Sequence, residues 1–530
     1  MTRQLLESSD SAHAIKRVST LLESILQESP FLSEMKKRIF VALFGICKTS
    51  LLTTLKNGAH SDDILRSSLK YILQTEDTSA KTTILNIAAE KLKSKLSNQD
   101  CLVWGGVNAR GDNRDEVCLV CLHKGNLKTI IDSHLGLPVL YQEYDRIERE
   151  PFDNSISDEY HRTSITPGDR VRANILIQKH GEKLFKSHTN LEAISVSSVL
   201  SSKSRGLEII PSIVLYCRMK GVIPIGENPF PKTLKQGKIV FPTDIREGFF
   251  TFGMYAQQQQ VNRRPIDHNV VLRMGCSVGR ENSFYSGTIG PFVRLGSKEL
   301  GFITCAHVVG LEKQAVLNKK MVQPAYGDLN ATQISCGTVV NIEFDPGRPI
   351  GVDAALVKVE HRDVAPTEFV WFNPKEVIDT GFDLSKPPSF RQGRVMTRIS
   401  FSGTQGKRVI KCGKSTGLKK GSLALEGAMI KINDDPYHPL FLPEGMTWQG
   451  LKGVVMKGQY MVENNRYPFF SAGDSGAGVY IVEDDQTLSL IGLAIGLLNE
   501  YTVVTPIKSV LQSLGLKPQD VISEELMETD

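Results

Sequence analysis

The hydrophobic and polar positions of this 530-residue chain change their spacing along the sequence. Residues 1–97 contain almost no glycine or proline, and their apolar residues recur at the spacing of one helical face. One such face consists of Ile15, Val18, Leu22, Ile25 and Leu26. The pattern predicts an all-α bundle of about four or five helices joined by short loops. It indicates either a packed structural domain or a module that binds a protein partner.

Residues 98–252 alternate in the manner of strands and are interrupted by Gly/Pro turns, which predicts an α+β domain. Two apolar strands, Val117–Leu122 and Ile213–Cys217, are each followed by a turn strand, Gly136–Val139 and Gly221–Ile225. This recurrence predicts a degenerate duplication. Because the region has no Ser/His/Asp set and no metal-ligand pattern, we expect it to present a substrate or to restrain the rest of the chain.

Charge and apolar content exclude several classes of partner. The chain has 63 basic and 58 acidic residues, a balance too even to indicate binding to nucleic acid or to an anionic membrane. Met1–Ala12 lacks the cationic start and apolar core of a secretion signal, and Ile39–Cys47 is too short to span a bilayer. We therefore expect a soluble protein. Four lysines are interpreted as the solvated face of a loop: Lys411, Lys414, Lys419 and Lys420.

The nine cysteines follow no pairing pattern. An odd number of scattered cysteines without a secretion signal predicts reduced thiols and a location in the cytoplasm or the nucleus. Cys118, Cys121 and His123 are close enough in sequence to suggest a metal site. However, positions three apart in a strand face opposite sides, and no second Cys/His pair completes a tetrahedral set. We interpret these residues as core and expect neither a metal nor a cofactor.

Three short segments carry the candidate chemistry. Ser475 lies between two glycines in the turn Gly473–Gly476, while His307 ends one apolar run and Asp353 opens another. A serine hydroxyl needs a base to take its proton, histidine titrates near neutrality, and a buried carboxylate holds the imidazole in one tautomer. The set predicts Ser475 as nucleophile, His307 as general base and then acid, and Asp353 as the residue that orients His307. The amide N–H groups of Gly473 and Ser475 are the predicted oxyanion donors.

The surroundings of these residues resemble the chymotrypsin-like serine proteases over about residues 265–515. Gly301–Val308 is similar to the histidine motif of that family, and Asp353–Leu356 is similar to its aspartate motif. Lys411–Leu418 contains a Gly-x-x-Thr-Gly stretch similar to that of the bacterial branch. The resemblance therefore places the chain with intracellular or bacterial-type members that lack disulfides.

The resemblance implies a multidomain protein whose residues 269–515 form an all-β, two-barrel serine endopeptidase acting on proteins or peptides. A glutamine-rich segment at 253–268 is the predicted linker to this domain, and an acidic tail at 516–530 follows it. In the family, the aspartate beside the nucleophile is buried against a cation. Because no activation-type terminus precedes the domain, we expect Asp474 to be satisfied within the chain and no activating cleavage to be required.

Specificity is predicted from the residues on either side of the serine. In trypsin-like members an acid six positions before the serine binds basic side chains, whereas here that position is Phe469, followed by Phe470. The wall strand of the pocket is predicted to include Gly496 and Leu497. A basic side chain buried in such a pocket would be unpaired, so we expect a small or apolar residue before the scissile bond.

Two other functions are compatible with the same residues. A protease fold without activity can serve as a peptide-binding scaffold, because a fold does not determine a function. The same three residues can also hydrolyse esters or other acyl compounds. Reaction with a fluorophosphonate separates the scaffold from the two enzymes, and turnover of peptides against esters separates the enzymes from each other.

Overall fold

The computed structural model describes residues 62–96, 101–109, 116–123, 129–143, 165–202, 206–252 and 266–524, the last range with gaps at 284, 297–298, 312, 327, 329–332, 371, 398–406, 433–453, 465–467 and 500. Most of the predicted helical bundle therefore lies outside the described residues. The same is true of the glutamines of the predicted linker and of the end of the predicted acidic tail.

The first unit, residues 62–143, is a sheet covered by two helices. Its elements are Asp62–Ile72 (α1), Thr78–Lys95 (α2), Cys101–Asn108 (β1), Glu116–His123 (β2), Ser133–His134 (β3) and Leu137–Glu143 (β4). α2 begins after Asp77, whose side chain accepts a hydrogen bond from the Ala80 amide at 2.9 Å and so satisfies one of the N–H groups left unpaired at a helix start. Leu65 and Ile84 of the helices share a buried cluster with Leu119 of β2.

The second unit, residues 165–252, has the same kind of elements. They are Pro167–Ser187 (α3), Leu191–Ser197 (β5), Leu200–Ser202 (β6), Gly206–Glu208 (β7), Ser212–Cys217 (β8), Val222–Pro224 (β9), Thr233–Gln236 (β10), Ile239–Glu247 (β11) and Phe250–Phe252 (β12). α3 is capped by Thr166, whose hydroxyl accepts from the Asp169 amide at 3.1 Å, and it has proline at its first position, where no N–H is needed.

The two units repeat one strand order, β3-β4-β2-β1 in the first and β10-β11-β8-β5 in the second. In each unit two long strands pair antiparallel, β1 with β2 in the first and β5 with β8 in the second. The second strand of a hairpin then lies parallel to the inner long strand: β4 lies parallel to β2, and β11 lies parallel to β8. Of the two strand pairs matched in the sequence, β2 and β8 do correspond, whereas Gly136–Val139 and Gly221–Ile225 do not. β9 pairs with β1 of the first sheet, so the counterpart of β4 is β11, the parallel neighbour of β8.

Residues 266–524 form two halves. The first contains Val271–Met274 (β13), Ser277–Arg280 (β14), Gly287–Thr288 (β15), Phe292–Arg294 (β16), Leu300–Thr304 (β17), Ala306–Val309 (α4), Lys313–Val316 (α5), Lys320–Gln323 (β18), Ile334–Asp345 (β19), Val352–Val359 (β20) and Asp363–Phe369 (β21). The second contains Pro374–Thr380 (α6), Arg394–Val395 (β22), Arg408–Gly413 (β23), Gly417–Ile432 (β24), Val454–Asn464 (β25), Gly478–Val482 (β26), Leu488–Leu498 (β27), Tyr501–Pro506 (β28), Ile507–Leu514 (α7) and a 3₁₀ turn at Pro518–Asp520.

Each half closes into a barrel. In the first, the order is β15-β14-β18-β19-β20-β17-β16, and the segment joining β15 to β16 bonds to both neighbours. There the Ile289 amide donates to the Cys276 carbonyl at 2.8 Å, and the Gly290 amide donates to the Ile303 carbonyl at 2.9 Å. In the second, the order is β24-β23-β26-β27-β28-β25, and β24 pairs with β25. Closure pairs the edges of both sheets, and the mostly-β, barrel-like architecture predicted for this region is confirmed.

The second unit and the second barrel form one sheet. β5 pairs antiparallel with β24, with Ile194 opposite Met429 and Ala193 opposite Ile430. Side chains from both sides of this junction share one hydrophobic cluster. The predicted boundary after residue 252 therefore does not separate two packed bodies, because the edge of β5 is paired with the barrel.

The predicted boundary at residue 97 needs a similar correction. In the described residues, the apolar faces of α1 and α2 are buried against β1, β2 and β4, so these helices belong to the first sheet. The helix pattern was read correctly there, but its burial partner is a sheet, which the pattern alone does not specify.

The prediction for Cys118 and Cys121 is confirmed in its geometry. The two side chains are buried in different clusters on opposite faces of β2. All eight cysteines among the described residues are buried, and none of them forms a disulfide. Of the helices in the described ranges, none is long and apolar enough to cross a membrane.

Candidate active site

His307 lies at the end of a strand whose neighbour carries Asp353. β17 ends at Thr304, and the chain then turns into the short helix α4, which contains His307. β17 pairs antiparallel with β20, with Thr304 opposite Ala355, so Asp353 lies two residues along the same face of β20. The side chains of His307 and Asp353 are both 0 % exposed.

Asp353 binds His307 at two points. One carboxylate oxygen accepts the backbone N–H of His307 at 3.1 Å, and the other is hydrogen-bonded to Nδ1 of the ring. A carboxylate at Nδ1 favours the tautomer with its proton there and its lone pair on Nε2. Nε2 is buried and has no hydrogen-bond partner among the described residues. The imidazole is therefore oriented with Nε2 as the basic atom.

Ser475 lies in a turn that requires its glycines. Gly473 and Gly476 have φ values of +97° and +95°, a region that side-chain-bearing residues rarely adopt. A Cβ on Gly476 would lie 2.3 Å from Oγ1 of Thr304, which belongs to the strand leading to His307. Only glycine at this position allows the serine turn to approach the histidine strand so closely.

Thr288, on β15, connects the serine turn to the histidine strand. Its N–H donates to the carbonyl of Ser475 at 2.8 Å, and its Oγ1 donates to the carbonyl of Gly473 at 2.9 Å. Its own carbonyl accepts from Oγ1 of Thr304 at 2.9 Å. Thr288 thus holds Ser475 beside β17, the strand that leads to His307.

The backbone N–H groups of the serine turn fall into two sets. Those of Asp474, Gly476 and Ala477 donate to backbone carbonyls at 3.0, 2.9 and 3.0 Å. Within the described part of the chain, those of Gly473 and Ser475 have no acceptor, while the carbonyls of these two residues accept from Thr288. Two unengaged N–H groups on the nucleophile turn are what an oxyanion hole needs. They belong to the two residues predicted from the sequence.

Asp474 is satisfied inside the protein, as predicted. Nζ of Lys411 lies 2.7 Å from one of its oxygens, and both side chains are 0 % exposed. The carboxylate also accepts the amides of Ser415 and Ser471 at 2.8 and 3.0 Å and Oγ1 of Thr416 at 2.7 Å. Burial lowers the pKa of Lys411, and the charge of Asp474 opposes that shift. The ion pair therefore fixes the residue that precedes the nucleophile.

The interpretation of Lys411 and Lys414 as a solvated loop face is wrong. Both are buried, and Lys414 binds Ser286 and Asp328 through Nζ. A lysine looks the same in sequence whether its side chain is solvated or buried. Only the folded chain brings a buried carboxylate to each of these two lysines. Lys411 lay within a motif already singled out, but nothing local marked it as the partner of Asp474.

In this structure Ser475 and His307 are not hydrogen-bonded to each other. Oγ of Ser475 donates to the carbonyl of Ile495 on β27 at 3.4 Å. Register shifts by one residue between Ala494 and Gly496, and this bulge frees Ile495 from the ladder with β28. Hydrogen bonds between nucleophile and base are often long in unliganded sites and shorten when substrate binds.

The four predicted specificity residues have two kinds of surroundings. Phe469 and Phe470 are buried in a core cluster with Ile491. Gly496 and Leu497 lie on β27 where this strand pairs with β12. The phenylalanines are thus core residues, and the two wall residues are covered by another part of the chain.

Cys305, two residues before His307, was not assigned a role from the sequence. Its Sγ and one ligand atom each of His307 and Asp353 all lie within 4.8 Å of one another, close enough to hold a metal ion. Burial, with the charge of Asp353, raises the pKa of the Cys305 thiol well above its usual value. Because metals bind the thiolate and Nδ1 of His307 already bonds Asp353, this group is poorly suited to a metal.

Two further residues at the site were missed in the sequence, Thr288 and Phe252. Thr288 is an unremarkable β-branched residue in a hairpin, and its role comes from three contacts with distant segments. The ring of Phe252 lies 4.7 Å from the ring of His307, centroid to centroid, although Phe252 belongs to the second unit. No local pattern marks either residue.

No family model matches the chain, and no curated protein is similar to it in sequence. Among solved structures it is similar to Thermobifida fusca protease A, at 16 % identity and TM-score 0.28, covering 47 % of this chain and 97 % of that one. It is likewise similar to Cellulomonas bogoriensis chymotrypsin, at 16 % identity and TM-score 0.28, covering 48 % of this chain and 100 % of that one. A Nocardiopsis protease matches at 13 % identity and TM-score 0.28, covering 47 % of this chain and 97 % of that one.

Proposed function

We propose that this protein is a serine-type endopeptidase of the chymotrypsin-like family that hydrolyses peptide bonds with Ser475, His307 and Asp353. The observation that carries the proposal is the double contact of Asp353 with His307, which leaves Nε2 as a buried basic atom without a partner among the described residues. Nε2 takes the Ser475 proton as Oγ attacks a carbonyl carbon and later gives it to the leaving amine. Asp353 stabilises the imidazolium formed between these steps.

The negative charge on the attacked carbonyl oxygen is stabilised by the amide N–H groups of Gly473 and Ser475. Preorganised donors act strongly here because the site is buried and little reorganisation is required during reaction. The buried pair of Lys411 and Asp474 holds the turn that carries both donors. Since this cation comes from the chain itself, we propose that activity needs no activating cleavage.

A peptide is the proposed substrate because a strand edge lies beside the nucleophile. β27 passes Ser475 at Ile495, and at Gly496 and Leu497 its edge pairs with an extended segment of this same chain, which is the kind of contact that an extended peptide makes. Extended peptides bind proteins by adding a strand to such an edge. We further propose a small or apolar residue before the scissile bond, and action in a reducing compartment, in keeping with the absence of disulfides among the described cysteines.

One observation favours a second candidate, an inactive scaffold that binds peptides. Ser475 donates to Ile495 and not to His307, an arrangement that is also compatible with an idle serine. A scaffold would keep the strand edge and lose the chemistry.

The proposal is tested by labelling the full-length protein with a fluorophosphonate, which reacts with activated serines. We expect labelling that disappears in Ser475→Ala and His307→Ala and persists in Ser513→Ala, a matched serine on α7 that bonds the Val510 carbonyl. Ser475→Ala should lower peptide turnover by several orders of magnitude. Absence of labelling after prolonged exposure would favour the scaffold, and turnover of esters without peptides would favour an acyl hydrolase.

A further inference from the structure

The strand edge beside Ser475 is occupied by the chain itself. β12 pairs antiparallel with β27, with Phe250 opposite Leu498, Thr251 opposite Leu497 and Phe252 opposite Gly496. β12 therefore runs along β27 toward Ile495, whose carbonyl accepts the hydroxyl of Ser475.

The contact between the two strands is close. A Cβ on Gly496 would lie 2.2 Å from the Thr251 carbonyl oxygen and 2.6 Å from the Phe250 ring. Glycine at this position thus allows another backbone to lie directly against β27.

The end of β12 covers the catalytic base. The ring of Phe252 lies 4.7 Å from that of His307, tilted by 42°. It also contacts the ring of Phe250 at 4.9 Å and that of Phe344 at 6.2 Å. An aromatic side chain in this position occupies space that a substrate side chain would need next to the imidazole.

β12 is held in place from its other end. The Gly248 amide donates to the Cys217 carbonyl at 3.0 Å, and Nδ2 of Asn499 donates to the Glu247 carbonyl at 2.8 Å. Cys217 belongs to β8 of the second unit, which is docked on the barrel through β5. Because its anchor is part of the same chain, β12 has a high effective concentration at the site.

We propose that β12 is a built-in inhibitory strand that occupies the position of a peptide substrate on β27 and covers His307 with Phe252. This inference rests on the proposed function, since it assumes that the edge serves substrate binding. The second unit then acts as the inhibitor that presents β12, and a substrate must displace residues 250–252 to bind.

The first test compares rates of fluorophosphonate labelling of Ser475 in full-length proteins. Phe252→Ala should be labelled at least about tenfold faster than wild type, equivalent to about 1.4 kcal/mol of lost inhibition. Phe252→Tyr, which keeps the ring, should behave as wild type. The matched control is Phe230→Ala, which removes a ring that packs on His188 in the same unit and away from the site.

The outcomes separate the two proposals. Equal labelling rates in wild type, Phe252→Ala and Phe230→Ala would overturn the inhibition and leave the proposed function standing. Absence of labelling in every variant would overturn the proposed function, and the inhibition with it. Equal acceleration in Phe230→Ala and Phe252→Ala would show general loosening and would also overturn the inhibition.

A second test measures occupancy without catalysis, in proteins that carry Ser475→Ala. A fluorescent peptide of sequence Phe-Phe-Thr-Phe, copied from residues 249–252, should bind the variant with Phe252→Ala at least about tenfold more tightly than the variant without it. The control peptide Phe-Phe-Pro-Phe lacks a backbone N–H at the threonine position and should bind weakly. Equal binding to both proteins would contradict the proposal.

Discussion

The two units that precede the barrels share a strand order but differ in what pairs with their edge. In the first, β1 pairs with β9, a short strand from the second unit, and the unit has its own buried cluster. In the second, the equivalent strand β5 pairs with β24 of the second barrel and shares its cluster. The same topology thus produces one unit away from the site and one docked beside it, and the partner of the edge decides which.

The docked edge also contains buried charges, which the corresponding edge strand β1 of the first unit lacks. Glu192 on β5 is 0 % exposed and lies 2.5 Å from Nε of Arg218, with Nζ of Lys431 on β24 at 3.9 Å. Lys431 also donates to the carbonyls of Thr189 and Leu191 at 2.6 and 3.1 Å. β1 has no charged residue in its sequence. Removing one member of such a buried network leaves buried charge uncompensated. Substitution of these charged residues should therefore disrupt the docking of the second unit on the barrel.

The largest effect is expected from proline at the paired edge. Ile194→Pro should destabilise the catalytic region by at least about 3 kcal/mol, because it disrupts the backbone pairing of a central strand. Val103→Pro, in β1, should disturb the first unit and leave labelling of Ser475 unchanged. Urea unfolding followed by fluorophosphonate labelling measures both effects. An equal change in the labelling of Ser475 in the two variants would break the distinction between the units.

A smaller effect is expected from the buried lysine at the junction. Lys431→Met should cost about 2 kcal/mol, because two buried carbonyls lose their donor. The matched control is Lys457→Met on β25, whose pairing with the exposed Glu182 of α3 is screened by water and should contribute little to stability. Urea midpoints of the variants give the comparison. A loss as large for Lys457 as for Lys431 would mean that burial at the docked edge adds nothing.

The smallest effect is a pH dependence at the same junction. Burial raises the pKa of Glu426 on β24 to about 7, and the charge of Arg170 on α3 opposes the shift. Between the usual carboxyl pKa and about 7, the folded protein holds a proton that the unfolded chain has released. The stability contributed by this group is therefore complete at low pH and is lost as pH rises through about 7.

Glu426→Gln should remove this part of the pH dependence. The decrease in urea midpoint between about pH 5 and about pH 8 should be smaller in the variant than in wild type. Glu182→Gln is the control, since its exposed carboxyl has a lowered pKa and does not titrate in that range. If the urea midpoint of Glu426→Gln falls with pH as steeply as that of wild type, Glu426 does not contribute to the pH dependence of the docked interface.

The candidate chemistry was predictable where it depends on local sequence. The nucleophile turn needs glycines at fixed positions around Ser475, and those glycines have the positive φ values that only glycine adopts readily. His307 and Asp353 lie at the ends of apolar runs that form neighbouring strands, so strand patterning placed both in the core. The need of Asp474 for an internal partner was also predictable from its place beside the serine.

What the sequence could not provide was the partner in each long-range contact. Lys411 was interpreted as solvated because a lysine in a strand has the same local pattern whether it faces water or a buried carboxylate. Thr288 acts only through contacts with the serine turn of the second half and with Thr304 of β17, which are distant from it in sequence. The helices at residues 62–95 were recognised as amphipathic, but a helix stripe does not reveal whether a helix or a sheet covers it.

The sequence by itself determined the three catalytic candidates, the two candidate oxyanion donors and the β character of the barrels, because turns and strand periodicity are local properties of the chain. The tertiary structure alone decided that Lys411 neutralises Asp474, that β5 rather than β1 joins the barrel, and that β12 lies against Gly496 and His307. Those outcomes depend on which strand edges meet. Edge pairing is made by backbone groups that every residue except proline carries, so the choice of partner leaves little trace in the sequence.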